Sequence, residues 1–125
     1  MSKKVLKVGI ASAAWLKART IAIAKGRRKR IPGDPQVWFA SIHSLAQVLS
    51  EPNRLLLDLI RTAKPSTLTE LAVLSGRKPG NLSRTLKAME SYRLVRLERG
   101  GNTVRPVVDW DKVEIEVPLA DAASA

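Results

Sequence analysis

Cysteine is missing from this chain of 125 residues, and histidine occurs only once. These absences exclude disulfide bonds, thiolate zinc sites, cysteine nucleophiles and multi-histidine metal sites. Acidic residues are also scarce, because 11 Asp and Glu stand against 22 Lys and Arg and leave a net charge of +11. Since no catalytic constellation remains, we expect a protein that is not an enzyme and that holds no cofactor and no metal.

Long apolar runs are absent as well, since no segment approaches the roughly 20 residues that span a bilayer. Hydrophobic residues nevertheless make up 45% of the chain, which is enough for the core of a small domain. So large a positive charge on a small, foldable chain indicates an anionic partner. Nucleic acid is the first candidate, ahead of a membrane surface or an acidic protein. We therefore expect the protein in the cytoplasm, at the nucleoid in a prokaryotic cell.

The positive charge is concentrated in two stretches. Residues 1–30 carry ten basic residues and no acidic one, and residues 63–105 carry nine basic residues against three acidic ones. The densest part is a run of four cations, Arg27, Arg28, Lys29 and Arg30. This run is open to three interpretations: a solvated linker, an arm that grasps DNA, or an address signal.

Proline and glycine in residues 31–35 mark a boundary in the chain. Before it, the pattern predicts a strand over 3–10 and an Ala-rich helix over 12–25. Trp15 and Trp38 are interpreted as core or interface anchors rather than as platforms for base stacking.

Four helices are predicted after the boundary. Ser41 and Ser50 can cap the first two. Thr67 and Glu70 form a capping box before the third, and Pro79 opens the fourth. The predicted ranges are 42–49, a helix between Ser50 and the stop at Pro65, 68–75 and 79–92. The side chains expected in the core are Leu55, Leu56, Leu59 and Ile60 of the second helix, Leu71, Ala72 and Leu74 of the third, and Leu82, Leu86 and Met89 of the fourth.

Strands are predicted over 94–99 and 103–109, joined by a Gly turn at 100–102, and a further strand over 113–117. Helices followed by a hairpin in this order are typical of a winged helix-turn-helix. The predicted fold class is α+β, a winged helix-turn-helix domain with an N-terminal strand–helix extension and a C-terminal strand. The predicted divisions are 1–35 for a basic strand–helix arm with its linker, 36–117 for the DNA-binding domain and 118–125 for a flexible tail.

The fourth helix keeps a polar face for DNA, and its length of about 21 Å suits a major groove. Arg84 and Lys87 would contact guanine edges and Asn81 an adenine, whereas Arg77 and Lys78 would hold phosphates. The predicted DNA-binding residues are Thr67, Arg77, Lys78, Gly80, Asn81, Ser83, Arg84, Lys87, Arg96, Arg99, Asn102 and Arg105, with Arg27, Arg28, Lys29 and Arg30 as further contacts of the arm. The competing interpretation of these charges is a solvated helix face and a charged, soluble hairpin.

The segments Thr67–Gly76, Asn81–Met89 and Leu94–Leu97 resemble MarR-type winged-helix regulators. The wider layout, with Phe39–Ser41 at a helix start and Ile115–Leu119 near the end, resembles a smaller family of stand-alone winged-helix regulators. Members of that family are often encoded beside a small toxin and resemble antitoxins, among them the partners of TumE-type toxins. The resemblance implies a transcriptional regulator with a small toxin protein as a candidate partner.

Two features depart from the pattern of that family. Lys78 precedes the fourth helix at a position where a Ser or Asp cap is usual, so we expect a less firmly capped helix start. The N-terminal arm is also far more basic than is usual for the family, which leaves the role of the arm open.

We therefore predict a sequence-specific regulator, an autorepressor that binds double-stranded DNA as a homodimer and could be the antitoxin of a toxin–antitoxin pair. The N-terminal strand and helix and the strand 113–117 are the expected dimer or partner surfaces, because a winged helix does not need them. One alternative is a non-specific nucleic-acid packing or RNA-binding protein driven by the basic arm. Another is an interaction module that docks a second protein through its winged helix.

Overall fold

The computed structural model of the protein describes residues 4–26 and 33–119. The predicted arm contacts at 27–30 lie outside the described residues. The described residues form two compact units, one of residues up to 46 together with those from 112 onward, and one of residues 47–111. The elements in chain order are β1 (Val5–Ile10), α1 (Ala13–Ala24), β2 (Val37–Phe39), α2 (Ile42–Val48), α3 (Glu51–Ala63), α4 (Leu68–Ser75), α5 (Pro79–Ser91), β3 (Arg96–Gly100), β4 (Thr103–Val107) and β5 (Lys112–Glu116).

The first unit contains a three-stranded sheet in the order β2-β1-β5, and both strand pairs are parallel. α1 connects β1 to β2 as the crossover that parallel strands need. The register places Val8 beside Val37 on one side and beside Ile115 on the other. The predicted division placed 36–117 in one domain, whereas β2 and β5 lie with β1 because they pair with it. The pairing of β5 with β1 joins segments more than 100 residues apart, which no local pattern records.

Two tryptophans pack together in this unit, and an arginine holds them. The ring centroids of Trp15 and Trp38 lie 4.9 Å apart, and the Arg19 guanidinium lies 5.9 and 5.4 Å from them. Arg19 also forms an ion pair with Asp34 at 3.1 Å. A Cβ on Gly9 would lie 2.5 Å from Cζ3 of Trp38, so only glycine leaves room for this ring. Trp15 is buried and Trp38 is half-buried, so both are anchors of this unit, as predicted, and Arg19 packs with them although it interrupts the apolar stripe of α1.

The helices of the second unit begin at the predicted caps. Ser50 Oγ accepts a hydrogen bond from the Asn53 N–H (3.4 Å) at the start of α3. Lys64, with φ at 50°, ends that helix in the left-handed conformation before Pro65. α4 has its predicted range, and α5 ends one residue earlier than predicted.

Apolar side chains from all three helices and from the start of the wing form the core of this unit. Its buried members are Leu56, Ile60, Leu71, Leu82, Leu86, Met89, Leu94 and Val95. Two predicted core residues are wrong, because Leu55 is 64% exposed and Leu74 is 48% exposed. Leu55 lies about a third of a turn from the centre of the stripe that Leu56 and Ile60 define. Leu74 likewise lies about a third of a turn around α4 from the centre of the stripe that Leu71 and Ala72 define.

β3 and β4 form the antiparallel hairpin of a winged helix, so the predicted fold class is confirmed. Gly100 pairs with Thr103, which leaves Gly101 and Asn102 as a two-residue turn. Gly101 has φ at 58°, the left-handed conformation that such a tight turn needs. β3 begins two residues later than predicted, because the buried Leu94 and the following valine precede the strand pairing.

Candidate nucleic-acid interface

The turn between α4 and α5 is held by backbone and hydroxyl hydrogen bonds. Gly76 ends α4 with φ at 71°, and its N–H donates to the Ala72 carbonyl (2.9 Å). The left-handed conformation favours glycine at this position. Ser75 Oγ accepts a hydrogen bond from the Arg77 N–H (3.3 Å), which fixes the backbone just before α5.

The capping box of α4 forms with one difference from the prediction. Thr67 Oγ accepts from the Glu70 N–H (3.0 Å), as predicted. The Glu70 carboxylate accepts from the Ser66 N–H (3.1 Å) instead of the Thr67 N–H. The Thr67 oxygen is therefore used within the protein, and its hydroxyl hydrogen is the part that can reach a ligand.

The start of α5 has no side-chain cap. Lys78 is the N-cap residue, and it makes no side-chain capping bond because an ammonium group has no acceptor. Pro79 follows as the first helical residue and needs no hydrogen-bond partner for its nitrogen. A Cβ on Gly80 would meet no atom within 4 Å, so this end of the helix is open. The amides of the first turn and the positive end of the helix dipole are thus directed at any ligand that approaches.

α5 has a buried face and an exposed face, as the sequence predicted. Leu82, Leu86 and Met89 are buried. Asn81, Arg84 and Lys87 are exposed on the opposite side, and the predicted contact Ser83 lies half-buried at the margin. With 13 residues the helix is about 20 Å long, which fits the width and depth of a major groove.

The exposed face of α5 and the turn before it carry four cations, Arg77, Lys78, Arg84 and Lys87. Among the described residues, none of the four forms an ion pair with a carboxylate. We refer to these four residues as the α5 cation cluster. Their positive charges are therefore not neutralised within the described part of the chain.

Asn53 of α3 holds one member of this cluster and was not predicted as a site residue. Its Oδ1 accepts a hydrogen bond from Arg77 Nη2 (3.0 Å), while its Nδ2 donates to the Val48 carbonyl (3.0 Å). The amide side chain therefore links Arg77 to the backbone before α3. Sequence inspection missed it because the only signal is a polar residue three positions after the cap Ser50, and 24 residues separate Asn53 from Arg77.

A cleft of about 320 Å³ runs beside α5. Its lining includes Asn53, Asn81, Arg84 and Thr85. Asn81 and Arg84 thus lie on the wall of this cleft, and both side chains are exposed.

The wing arginines, in contrast, are engaged with carboxylates. Arg96 donates from Nε and Nη2 to the Asp109 carboxylate (3.1 Å each). Arg105 donates from Nε to Glu98 (3.0 Å), and Arg99 Nη1 lies 3.5 Å from a Glu90 oxygen. The wing therefore presents paired charges, whereas the α5 cation cluster presents unpaired ones. Asn102 lies exposed at the tip of the hairpin.

The ion pairs of the wing change the acid–base properties of their members. The hydrogen bond from Arg105 is the largest cause of a pKa of Glu98 below its ordinary value. The hydrogen bonds to Asp109 raise the pKa of the Arg96 guanidinium. Because the carboxyl pKa is lowered, the pairing stabilises the wing fully at pH values above the pKa of Glu98 in the unfolded chain. This stabilisation is lost as the pH falls through the lowered pKa of the folded protein.

Neither of two other kinds of site occurs in the part of the chain that the structure describes. No group of three or more His, Asp or Glu side chains there is arranged to hold a metal ion. Within the same residues, no helix combines the length and the apolar character that crossing a bilayer requires.

Comparison with known proteins gives one family and several solved structures. The HVO_A0114 family matches residues 48–115, which is more than half of the chain. Curated proteins contain no match. A crystal structure of a predicted DNA-binding transcriptional regulator from E. coli is similar, with 18% identity, a TM-score of 0.46 and coverage of 80% of this chain and 86% of that one. The AntR antimony-specific transcriptional repressor is similar with 24% identity, a TM-score of 0.46 and coverage of 65% and 79%.

Proposed function

We propose that this chain, which belongs to the HVO_A0114 family, is a sequence-specific DNA-binding regulator of transcription. α5 enters the major groove, where Arg84 and Lys87 contact guanine edges and Asn81 contacts an adenine. Arg77 and Lys78 hold the adjacent phosphates and set the register of the helix on the duplex. The wing lies against the neighbouring backbone or minor groove.

The observation that carries this proposal is the unneutralised α5 cation cluster. Like charges that lie close together repel each other, and binding an anion relieves that repulsion. The cluster lies on the exposed face of a helix of suitable length and in the turn before it, beside an uncapped helix start that attracts phosphate. Asn81 on the same face adds a side chain that can form two hydrogen bonds with an adenine.

Asn53 has a positioning role in this proposal. Its hydrogen bond to Arg77 restricts the guanidinium before DNA arrives, so less conformational entropy is lost on binding. The hydrogen bond to the Val48 carbonyl in turn fixes the Asn53 side chain.

The wing contributes less than its number of arginines suggests, because each of them is paired with a carboxylate. We expect Glu98→Gln to release Arg105, whereas Arg96 keeps its two hydrogen bonds to Asp109, and to tighten DNA binding by about 3- to 10-fold at moderate salt. The slope of log affinity against log salt becomes steeper by the value of about one additional phosphate contact. Fluorescence anisotropy with a labelled duplex over a salt series measures both quantities.

The matched control for this variant is Asp58→Asn. Asp58 pairs with Arg61 at 3.0 Å, so the control also removes one negative charge and loosens one arginine, but outside the proposed DNA contacts. If both variants bind DNA equally well, the gain comes from net charge and the wing has no specific part in binding.

The proposal includes three finer statements. The protein represses its own operon, acts as a homodimer and works in the cytoplasm, at the nucleoid in a prokaryotic cell. Winged-helix modules of this kind bind two half-sites about one helical turn apart, which favours a dimer. The resemblance of Phe39–Ser41 and Ile115–Leu119 to antitoxin-like regulators supports a small toxin protein as a second partner.

The test of the proposed function compares two duplexes by fluorescence anisotropy at two salt concentrations. One duplex is the DNA directly upstream of the gene, and the other has the same composition in scrambled order. We expect the native sequence to bind at least about 10³-fold more tightly at the higher salt concentration.

Equal binding to both duplexes would contradict the regulator proposal. If that binding also collapses with salt, the protein packs nucleic acid without sequence preference. If neither duplex binds, the winged helix is an interaction module for another protein.

A further inference from the structure

Among the described residues, no further strand covers the β5 edge of the three-stranded sheet, which is called the open edge below. β5 pairs with β1 on one side and is the last strand of the sheet in the described residues. The Lys112 N–H donates to the Lys4 carbonyl (3.4 Å), so the backbone groups of residue 112 are directed at β1. Successive residues of a strand direct their backbone N–H and carbonyl groups to opposite sides. Val113 and Ile115 therefore direct theirs at the open edge. Such an edge is a template for another strand.

The side chains of β5 separate into a charged row and an apolar row. Lys112, Glu114 and Glu116 alternate with Val113 and Ile115 along the strand. In this parallel register, Val113 lies beside Leu6 and Ile115 beside Val8, and both β1 residues are fully buried. The apolar row therefore continues the apolar face of the sheet to its edge. Ile115 is 48% exposed there, and Val117 just beyond the strand is 41% exposed.

We propose that β5 pairs with β5 of a second copy of this chain, antiparallel, about a two-fold axis at Glu114. This pairing joins two sheets into one of six strands. It deepens the homodimer of the proposed function by naming the interface. A two-fold axis needs a self-complementary strand, and β5 has that property.

The register about Glu114 matches charges and apolar groups at the same time. Lys112 of one copy lies opposite Glu116 of the other, and Val113 lies opposite Ile115, with each pair occurring twice. The Val113–Ile115 pairs are those whose backbone groups are directed at the open edge, so they exchange the hydrogen bonds of an antiparallel pair. Five residues of each copy are paired, which is a common strand length.

At the two-fold axis, Glu114 of one copy lies opposite Glu114 of the other. Nearby lysines compensate for these two negative charges. The Lys112 ammonium lies 3.1 Å from the Glu114 carboxylate within the strand. Lys7 of β1 lies beside Glu114 in the register of the sheet. Across the two copies, Lys7 and Lys112 supply four positive charges against four negative charges from Glu114 and Glu116. The charged row of the dimer is therefore neutral.

The neighbouring register, about Ile115, is less favourable. It places Glu114 opposite Glu116 twice and moves Lys112 opposite Pro118, which leaves the lysine without a carboxylate directly across the interface. Like charges directly opposite each other destabilise a strand pair. The charges of β5 thus favour the register about Glu114 over the register about Ile115.

The experiment is a charge exchange measured by sedimentation velocity on the full chain over a range of concentrations. We expect the unchanged protein to dimerise. Lys112→Glu places two glutamates opposite each other at both ends of the interface, and Glu116→Lys places two lysines there. Each variant alone weakens dimerisation by about 10-fold or more.

Two samples then restore the charge pairs. The double variant Lys112→Glu with Glu116→Lys forms a homodimer, and an equimolar mixture of the two single variants forms a heterodimer. The control Lys17→Glu reverses an exposed charge on α1 and leaves dimerisation unchanged. Circular dichroism of each variant separates a loss of association from a loss of folding.

Three outcomes would overturn this interface. The unchanged protein could be a monomer at all concentrations, the single variants could dimerise as it does, or neither restoring sample could dimerise. If a single variant fails to fold, the heterodimer cannot form either. That outcome also counts against the proposal, because the exposed β5 charges would then be needed for the folding of one copy and not for the pairing of two. Binding to the upstream duplex is measured separately by fluorescence anisotropy. It tests the DNA-binding proposal, whereas sedimentation tests the interface, so failure of one is distinguished from failure of the other.

Discussion

Replacing Arg84 by alanine is expected to reduce the preference for the native duplex over the scrambled one by about 5- to 150-fold, the value of one good contact between an arginine and a guanine. Arg84 lies in the middle of the exposed face of α5, borders the cleft beside that helix and has no ion-pair partner among the described residues. Its removal therefore takes away an external contact and leaves the protein's own contacts in place. Anisotropy with both duplexes at fixed salt measures the ratio of affinities.

Lys17→Ala is the matched control, since it also removes one exposed positive charge but lies on α1, in the first unit. We expect it to weaken binding to both duplexes by a similar small factor and to keep their ratio. An unchanged ratio in Arg84→Ala would show that this residue does not contact bases. If the ratio is unchanged and both affinities fall by the same factor, Arg84 contacts a phosphate.

The second large effect concerns stability. Leu86 of α5 is fully buried, and Leu86→Ala is expected to lower the free energy of unfolding by about 2–5 kcal/mol, because burial is lost and a cavity remains. The variant therefore unfolds at a lower urea concentration. Trp110 lies in the same unit, with its indole N–H donating to the Arg93 carbonyl (2.7 Å). Its fluorescence, followed together with circular dichroism, reports this transition.

The same substitution at Leu55 is the control. Leu55 is 64% exposed on α3, so Leu55→Ala is expected to change the free energy of unfolding by no more than about 0.5 kcal/mol. A large loss at Leu55 would mean that the side chain is covered in solution, for example by a second protein. Comparable small losses at both positions would contradict the described packing of α5.

The cations of α5 and those of the wing differ in whether they are paired with carboxylates. By sequence alone, Arg96, Arg99 and Arg105 are as available to DNA as the cations of α5. In the structure each of the three forms an ion pair with a carboxylate, and among the described residues no member of the α5 cation cluster does. In the proposed complex, α5 therefore makes the base contacts and supplies most of the electrostatic attraction, and the wing adds affinity only when its arginines leave their carboxylates for phosphates.

The local signals in the sequence were sufficient for most helix boundaries. Ser50, Thr67 and Gly76 act within one turn of their own position, because a cap bonds the backbone of its own helix. The winged-helix order and the exposed face of α5 followed from these signals. Core membership was less certain at the edges of a stripe, where Leu55 and Leu74 were predicted inside and lie outside.

The amino-acid sequence by itself determined the range of α4, the start of α5, the exposed positions of Asn81, Arg84 and Lys87, and the absence of a side-chain cap at Lys78. Each depends on periodicity or on chemistry within a few residues. Only the tertiary structure decided that β2 and β5 pair with β1, that Asn53 holds Arg77, and that the wing arginines are paired. These contacts form between segments distant in the chain or across a hairpin. Which of several polar side chains meet there depends on how the chain folds back, and residue type and spacing do not specify it.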